Sequence, residues 1–333
     1  MTLLLLAAAL LASPAPAAPA SHASQGTLIV LDKAGAKAQL VSLKTGKVEA
    51  SLPTGLGPHE VAVSPDGKTA VITNYGEQTP GSSLTVLDLP GRKVASTIEL
   101  SGYARPHGLV FLPGGQSVAV TVEQQKAVLV VDLAKGQVSH PVETGKDGSH
   151  MVVLAPDGKL AYVANVGSGS LSVLDLAGKK AVGHVATAAG AEGLDVSPDG
   201  KEVWVANNKA NSISVVDAGT LEVTRTISCP AFPLRVKFLP GGKRVLVSAT
   251  MSGEVVVLDR AEGKVLKRLP MAESATDESP IPIGILVHPA GKLAYVALAQ
   301  AGRVAILDVE KAAVVGRIEV GGHPDGLGWS PLG

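Results

Sequence analysis

Seven copies of one short phrase, a hydrophobic strand ending in Pro-x-Gly followed by a second strand, recur at a nearly constant interval. The prolines are Pro65, Pro113, Pro156, Pro198, Pro240, Pro289 and Pro331, at gaps of 48, 43, 42, 42, 49 and 42 residues. A period of about 40–50 residues that holds several short strands predicts a β-propeller. Residues 147–187 display one whole unit, with strand A at Met151–Leu154, a tight turn at Pro156-Asp157-Gly158-Lys159, strand B at Leu160–Ala164, strand C at Leu171–Leu174 and strand D at Ala181–Val185. The richness of strands B and C in Val, Leu and Ile suits sheets packed on both faces.

The two ends of the repeat are incomplete in complementary ways. The N-terminal part supplies equivalents of B, C and D at Leu28–Leu31, Gln39–Leu43 and Val48–Leu52, and the C-terminus stops after an A-type strand, Gly326–Ser330. Joining them completes a seventh blade and pairs the terminal strands. The expectation is therefore an all-β, seven-bladed propeller of four antiparallel strands per blade. Its ring is closed by N-terminal strands B-C-D and C-terminal strand A.

The first 23 residues read differently. Leu3–Ala12 is a short apolar run followed by a Pro/Ala-rich stretch with small residues near Ala20 and Ala23. This is the pattern of a secretory signal peptide over 1–23, without the usual basic start, and it predicts a periplasmic or secreted domain over 24–333. Cys229 is the single cysteine, so no internal disulfide forms. The 29 basic residues balance 29 acidic ones, and aromatics make up 3% of the chain, which together argue against nucleic-acid binding. No segment beyond the N-terminus is long and apolar enough to span a membrane.

Four residue motifs carry a resemblance. Tyr162-Val163-Ala164-Asn165, Trp204-Val205-Ala206-Asn207, Ser64-Pro65-Asp66-Gly67 and Ser197-Pro198-Asp199-Gly200 look like the YVTN repeat. The whole mature chain resembles the YVTN-type propeller proteins, which include lactonase-like proteins, surface-layer propellers and the propeller domain of nitrous oxide reductase. The resemblance implies the fold. It carries no catalytic residue across, because the lactonase-like site relies on acidic residues and Asn rather than on a three-histidine cluster, and one fold hosts unrelated activities.

Departures from the repeat point to a site. The extra residues of the longer repeats can all be placed in the B–C and D–A loops, here called the top face, where insertions in repeat proteins tend to serve binding. The residue six before each repeat proline, where strand A enters the channel from the top, is in turn His59, His107, His150, Glu192, Leu234, Ile283 and Asp325. Three histidines and two carboxylates at equivalent seats are residue types that ligate divalent metals. Recurrent turns with each imidazole capping a loop carbonyl would give the same spacing. The metal set expected is His59, His107, His150 and Glu192, for a divalent ion that the sequence does not distinguish among zinc, manganese, iron, calcium and copper. Glu192 or Asp325 is placed to act as general base. The end of strand B supplies a second ring with polar members Asp32, Asn74, Asn165 and Asn207, expected to support the site or the substrate, and Arg235 is placed to hold an anionic substrate.

These readings point to a metal-dependent hydrolase of esters, lactones or phosphoesters with a small-molecule substrate on the top face. A non-catalytic propeller that binds a ligand, a metal or a protein partner, and a copper-linked redox accessory protein, remain open on the same residues.

Overall fold

The computed structural model describes residues 25–229, 231–274 and 278–333, so the expected signal segment lies outside the described residues. Among the described residues, seven four-stranded antiparallel sheets form a ring, with one short 3-10 turn at Thr250–Ser252. Blade 1 is the closing blade. Its strand A is Pro324–Ser330, and its strands B, C and D are Thr27–Asp32, Lys37–Ser42 and Lys47–Pro53. Blades 2 to 7 follow in chain order, and their A strands begin at Pro58, Pro106, Ser149, Ala191, Pro233 and Pro282. The expected seam is present, with Leu28 opposite Trp329 and Val30 opposite Leu327.

Alternation places the core between blades. Strands B and C bury residues on both faces, so each pair of neighbouring sheets shares an apolar layer. Trp204, Val215 and Ile227 of blade 5 pack with Phe238, Val245 and Val256 of blade 6 in one such layer. The outermost D strands bury one position each, as at Val185 and Leu269. One expected loop takes another form. The extra residues between strands B and C of blade 2 lengthen the hairpin itself, so strand B runs Thr69–Gly76 and strand C runs Pro80–Asp88.

The innermost strands share a local device. In all seven blades the A–B register slips at the channel seat, as between Pro58 and Val61, Pro106 and Leu109, and Pro233 and Val236. Such a β-bulge leaves an unpaired residue and re-aims its side chain. In three blades a strand B hydroxyl takes up the freed N–H. Glu60 N–H donates to Thr73 Oγ1 at 3.0 Å, Gly108 N–H to Thr121 Oγ1 at 2.7 Å, and Arg235 N–H to Ser248 Oγ at 2.9 Å.

Close approach at the axis depends on glycine. Gly108, Gly193, Gly284 and Gly326 each follow a channel seat. A Cβ on Gly193 would lie 2.0 Å from the Leu234 carbonyl oxygen, and one on Gly326 would lie 2.4 Å from the His59 carbonyl oxygen. Both neighbours are backbone and belong to the next blade, so neither moves without shifting a strand.

Gly193→Ala is therefore expected to lower stability by about 1–3 kcal/mol or more through overpacking. Thermal denaturation checks this, and an unchanged melting temperature would mean that the inner strands spread freely.

Candidate functional site at the channel mouth

The bulges bring the expected seats together. His59 Nδ1 lies 2.6 Å from Asp325 Oδ2 on the adjoining blade. The ring centroids of His59 and His107 are 4.1 Å apart and edge-on, and those of His107 and His150 are 3.5 Å apart and tilted by 31°. His150 Nε2 meets Glu192 Oε1 at 2.7 Å. Two of the histidine backbones are tied down by the preceding blade, because Thr73 Oγ1 donates to the His107 carbonyl at 3.0 Å and Thr121 Oγ1 to the His150 carbonyl at 2.5 Å.

Several residues of the cluster were not expected from the sequence. Glu123 contacts His150 Nδ1 on the side opposite Glu192. The Tyr75 hydroxyl donates to the other Glu123 oxygen at 2.7 Å, and its ring stands edge-on to both His59 and His107. Arg105 lies over the Tyr75 ring, with Cζ 4.6 Å from the centroid. Lys33 Nζ is 3.4 Å from His59 Nε2 and 3.5 Å from Asp325 Oδ2, and Asn208 Nδ2 donates to Glu192 Oε2 at 3.0 Å. Lys33, Tyr75, Glu123 and Asn208 share one repeat position, which follows strand B in three of the blades and lies within its longer form, Thr69–Gly76, in blade 2. The repeat register contained that signal, one residue beyond the ring taken as supporting.

That supporting ring faces elsewhere. Asn74 donates to Ser83 and Thr85, Asn165 to Ser170 and Ser172, and Asn207 to Ser212 and Ser214, all hydroxyls of strand C in the same blade. Asp32 accepts from the His323 and Gly35 backbone N–H groups and pairs with Lys37 at 3.5 Å. These four residues fix top loops within and between blades, and their polar contacts are with those loops and strands. Arg235 is only 4% exposed. It reaches across the channel from blade 6 to pair with Glu60 of blade 2 through Nη2, and its Nη1 lies 3.6 Å from Glu192.

Charge is distributed unevenly over the cluster. Burial alone would lower the His150 imidazole, but Glu192 and Glu123 on either side outweigh it and raise it to about 9. Burial would raise Glu192, but His150 and Arg235 bring it to about 2. Asp325 is likewise brought to about 2, against burial, by His59, Lys33 and Arg235. At that value neither carboxylate is an effective base near neutral pH. His107 is the opposite case. Its burial, reinforced by the neighbouring His150, His59 and Arg235, pushes it well below 6.5, so it stays neutral. It is fully buried, and both of its ring nitrogens lack a hydrogen-bond partner.

His107, Glu123 and His150 offer ligand atoms that all lie within 4.8 Å of one another, the one such metal-capable group among the described residues. It shares His107 and His150 with the expected set and has Glu123 in addition. His59 and Glu192 instead line a neighbouring cavity of about 430 Å³ with Lys33, Arg235, His323 and Asp325, bounded on the blade 6–7 side by Leu234 and Ile283. The polar and apolar halves expected of the ring thus face one another across a cavity.

Cys229 is buried, which pushes its thiol up to about 11 and keeps it unreactive. His140 contacts the Leu176 carbonyl at 3.1 Å and His184 the Ser172 hydroxyl at 3.1 Å, both on outer strands.

A seven-bladed YVTN-type propeller with a histidine–carboxylate cluster at its channel mouth is the class that fold and site define. The family model described as YNCE-like beta-propeller matches residues 112–281, half of the chain's length, and the chain belongs to that family. Hydrazine synthase from Kuenenia stuttgartiensis is similar in structure at 24% identity, with a TM-score of 0.73 over 83% of this chain and 90% of that one. A functionally unknown protein from Desulfotomaculum acetoxidans is similar at 14% identity, with a TM-score of 0.75 over 93% of this chain and all of that one. At these identities the likeness is one of fold. No curated protein matches the sequence. No helix among the described residues is long and apolar enough to cross a membrane.

Two outcomes are expected. Thr121→Val removes both the bulge hydrogen bond and the His150 tether, and is expected to cost about 1–3 kcal/mol in chemical denaturation. In chelator-treated protein, His150 contributes stability fully below its ordinary value of 6.5, and this is lost as pH rises through about 9. Glu192 and Asp325 contribute above the ordinary carboxylate range and lose that contribution as pH falls toward about 2. The melting-temperature gap between wild type and His150→Gln should therefore narrow between pH 6.5 and 9. A gap that stays constant to high pH would rule out the paired imidazolium.

Proposed function

We propose that the chain is a metal-dependent hydrolase, acting on an ester, lactone or phosphoester in the channel-mouth cavity, with a divalent ion held by His107, His150 and Glu123. The observation that carries this reading is His107, a neutral, fully buried imidazole with two unpartnered nitrogens beside His150 and Glu123. A buried imidazole without a hydrogen bond is costly unless something not made of protein satisfies it. Two histidines and one glutamate are also the donor set of many catalytic zinc sites, which keep a coordination position open.

The chain's own residues have separable roles in this reading. Glu192 and Tyr75 orient the ligands, since the first bonds His150 and the second bonds Glu123. His59, backed by Asp325 and lining the cavity, is the group placed to accept a proton from an attacking water. This shifts the base from Glu192 or Asp325 to His59, because both carboxylates are held at about 2 by their partners. A bound divalent ion would supply Lewis-acid polarisation of the substrate carbonyl or phosphoryl oxygen.

Elemental analysis of the purified protein beside a His107→Ala/His150→Ala variant tests the site. About one divalent ion per chain is expected in the wild type and none in the variant. Turnover of nitrophenyl esters, lactones or phosphotriesters should disappear on chelation and return with metal. No ion after incubation with zinc, manganese or copper would overturn the metal reading. A bound ion without turnover on any of these substrates would leave a metal-binding propeller.

A further inference from the structure

The backbone carries a second pattern at the channel mouth. The residue two before each channel seat, just ahead of strand A, is Gly57, Arg105, Gly148, Gly190, Phe232, Ile281 and His323 around the ring. Six of the seven adopt a left-handed backbone, with φ between 53° and 77° at Gly57, Arg105, Gly148, Gly190, Phe232 and Ile281. Glycine takes this conformation without strain, whereas a bulky or β-branched residue there is a true outlier. Strain of this kind persists where the surroundings impose it and clusters at ligand sites. Arg105 is accounted for by its place over Tyr75. Phe232 and Ile281 are apolar, partly exposed and on adjacent blades, each two residues above a cavity-lining residue, Leu234 and Ile283.

A second observation concerns the same cavity. Arg235 is buried, and its Nη1 has no hydrogen-bond partner. Its other terminal nitrogen is committed to Glu60. Arg235 and Lys33 both line the cavity. Of the acidic groups of the wall, Glu192 is matched by His150 and Asn208, and Asp325 by His59 and Lys33; Glu77 also lines the cavity.

We propose that this cavity takes an amphiphilic carboxylate, with its carboxylate on Arg235 and Lys33 and a hydrocarbon body against Leu234 and Ile283 under the rim of Phe232 and Ile281. A buried guanidinium whose Nη1, 3.6 Å from Glu192, makes no hydrogen bond is suited to a carboxylate oxygen, and a small site that is part apolar with few fixed polar groups is suited to such a ligand. The inference rests on the reading of this cavity as the substrate cavity, and it identifies that substrate, or the acid released from it, as an acyl compound.

The test is direct binding, which needs neither metal nor turnover. Butanoate, hexanoate and octanoate, each beside the alcohol of the same length, are titrated by calorimetry into the wild type and into His107→Ala/His150→Ala. Affinity is expected to rise about fourfold for each added methylene until the cavity is full. Each acid should bind at least about tenfold tighter than its alcohol, as a charge-assisted bond allows. Phe232→Gly and Ile281→Gly should flatten the chain-length dependence while leaving the melting temperature unchanged or raised, since glycine relieves the left-handed strain. Absence of binding at millimolar acid, no preference over the alcohol, or glycine variants that melt lower and bind as before would each overturn the proposal. If the metal site fails and acid binding persists, the metal reading alone falls; if metal and turnover are present without acid binding, only the acyl assignment falls.

Discussion

Crowding at the axis is the constraint on which the rest of the molecule depends. Seven A strands can converge only if neighbouring backbones nearly touch, and the glycines after four of the channel seats permit this. The same convergence forces the seats' side chains together, with the help of a bulge in every blade that turns each one out of the pleat. Packing and chemistry are therefore the same problem here. The cluster of His59, His107 and His150 follows from a ring too narrow to keep their imidazoles apart.

Low dielectric surroundings then sort those imidazoles into different states. Without a bound ion, His150 has a carboxylate on each side and is held as the cation. His107 lies against it without a carboxylate contact and is held neutral. The two are chemically identical and their rings nearly touch, yet their partners separate them. The difference originates with Glu123 and Glu192, which lie on the blades flanking the one that carries His150.

The architecture was legible in the sequence because proline spacing and strand composition are local properties that repeat. The seam was legible for the same reason, since the missing strands at one end matched the spare strand at the other. The channel seats could be read because the repeat supplied a register. What the register did not supply was direction. Asn74, Asn165 and Asn207 looked like a polar ring on the site, but strand C hydroxyls at the right spacing hold them within their blades. The next residue along, at Lys33, Tyr75, Glu123 and Asn208, is the one that reaches the cluster. Its chemistry differs in every blade, so no composition pattern marks it. The sequence places Arg235 to hold an anionic substrate, but its span to Glu60 joins residues 175 positions apart.

The closing blade also governs when the site can exist. Asp325 belongs to the last strand of the chain, whereas His59, its partner at 2.6 Å, belongs to the second blade. Strand B of the closing blade, at Thr27–Asp32, waits for the same last strand. Contacts between such distant parts of a chain form late, because the intervening loop must close first. During synthesis the early histidines therefore emerge long before the carboxylate that completes their wall. The complete wall, with Asp325 against His59, is a property of the closed ring.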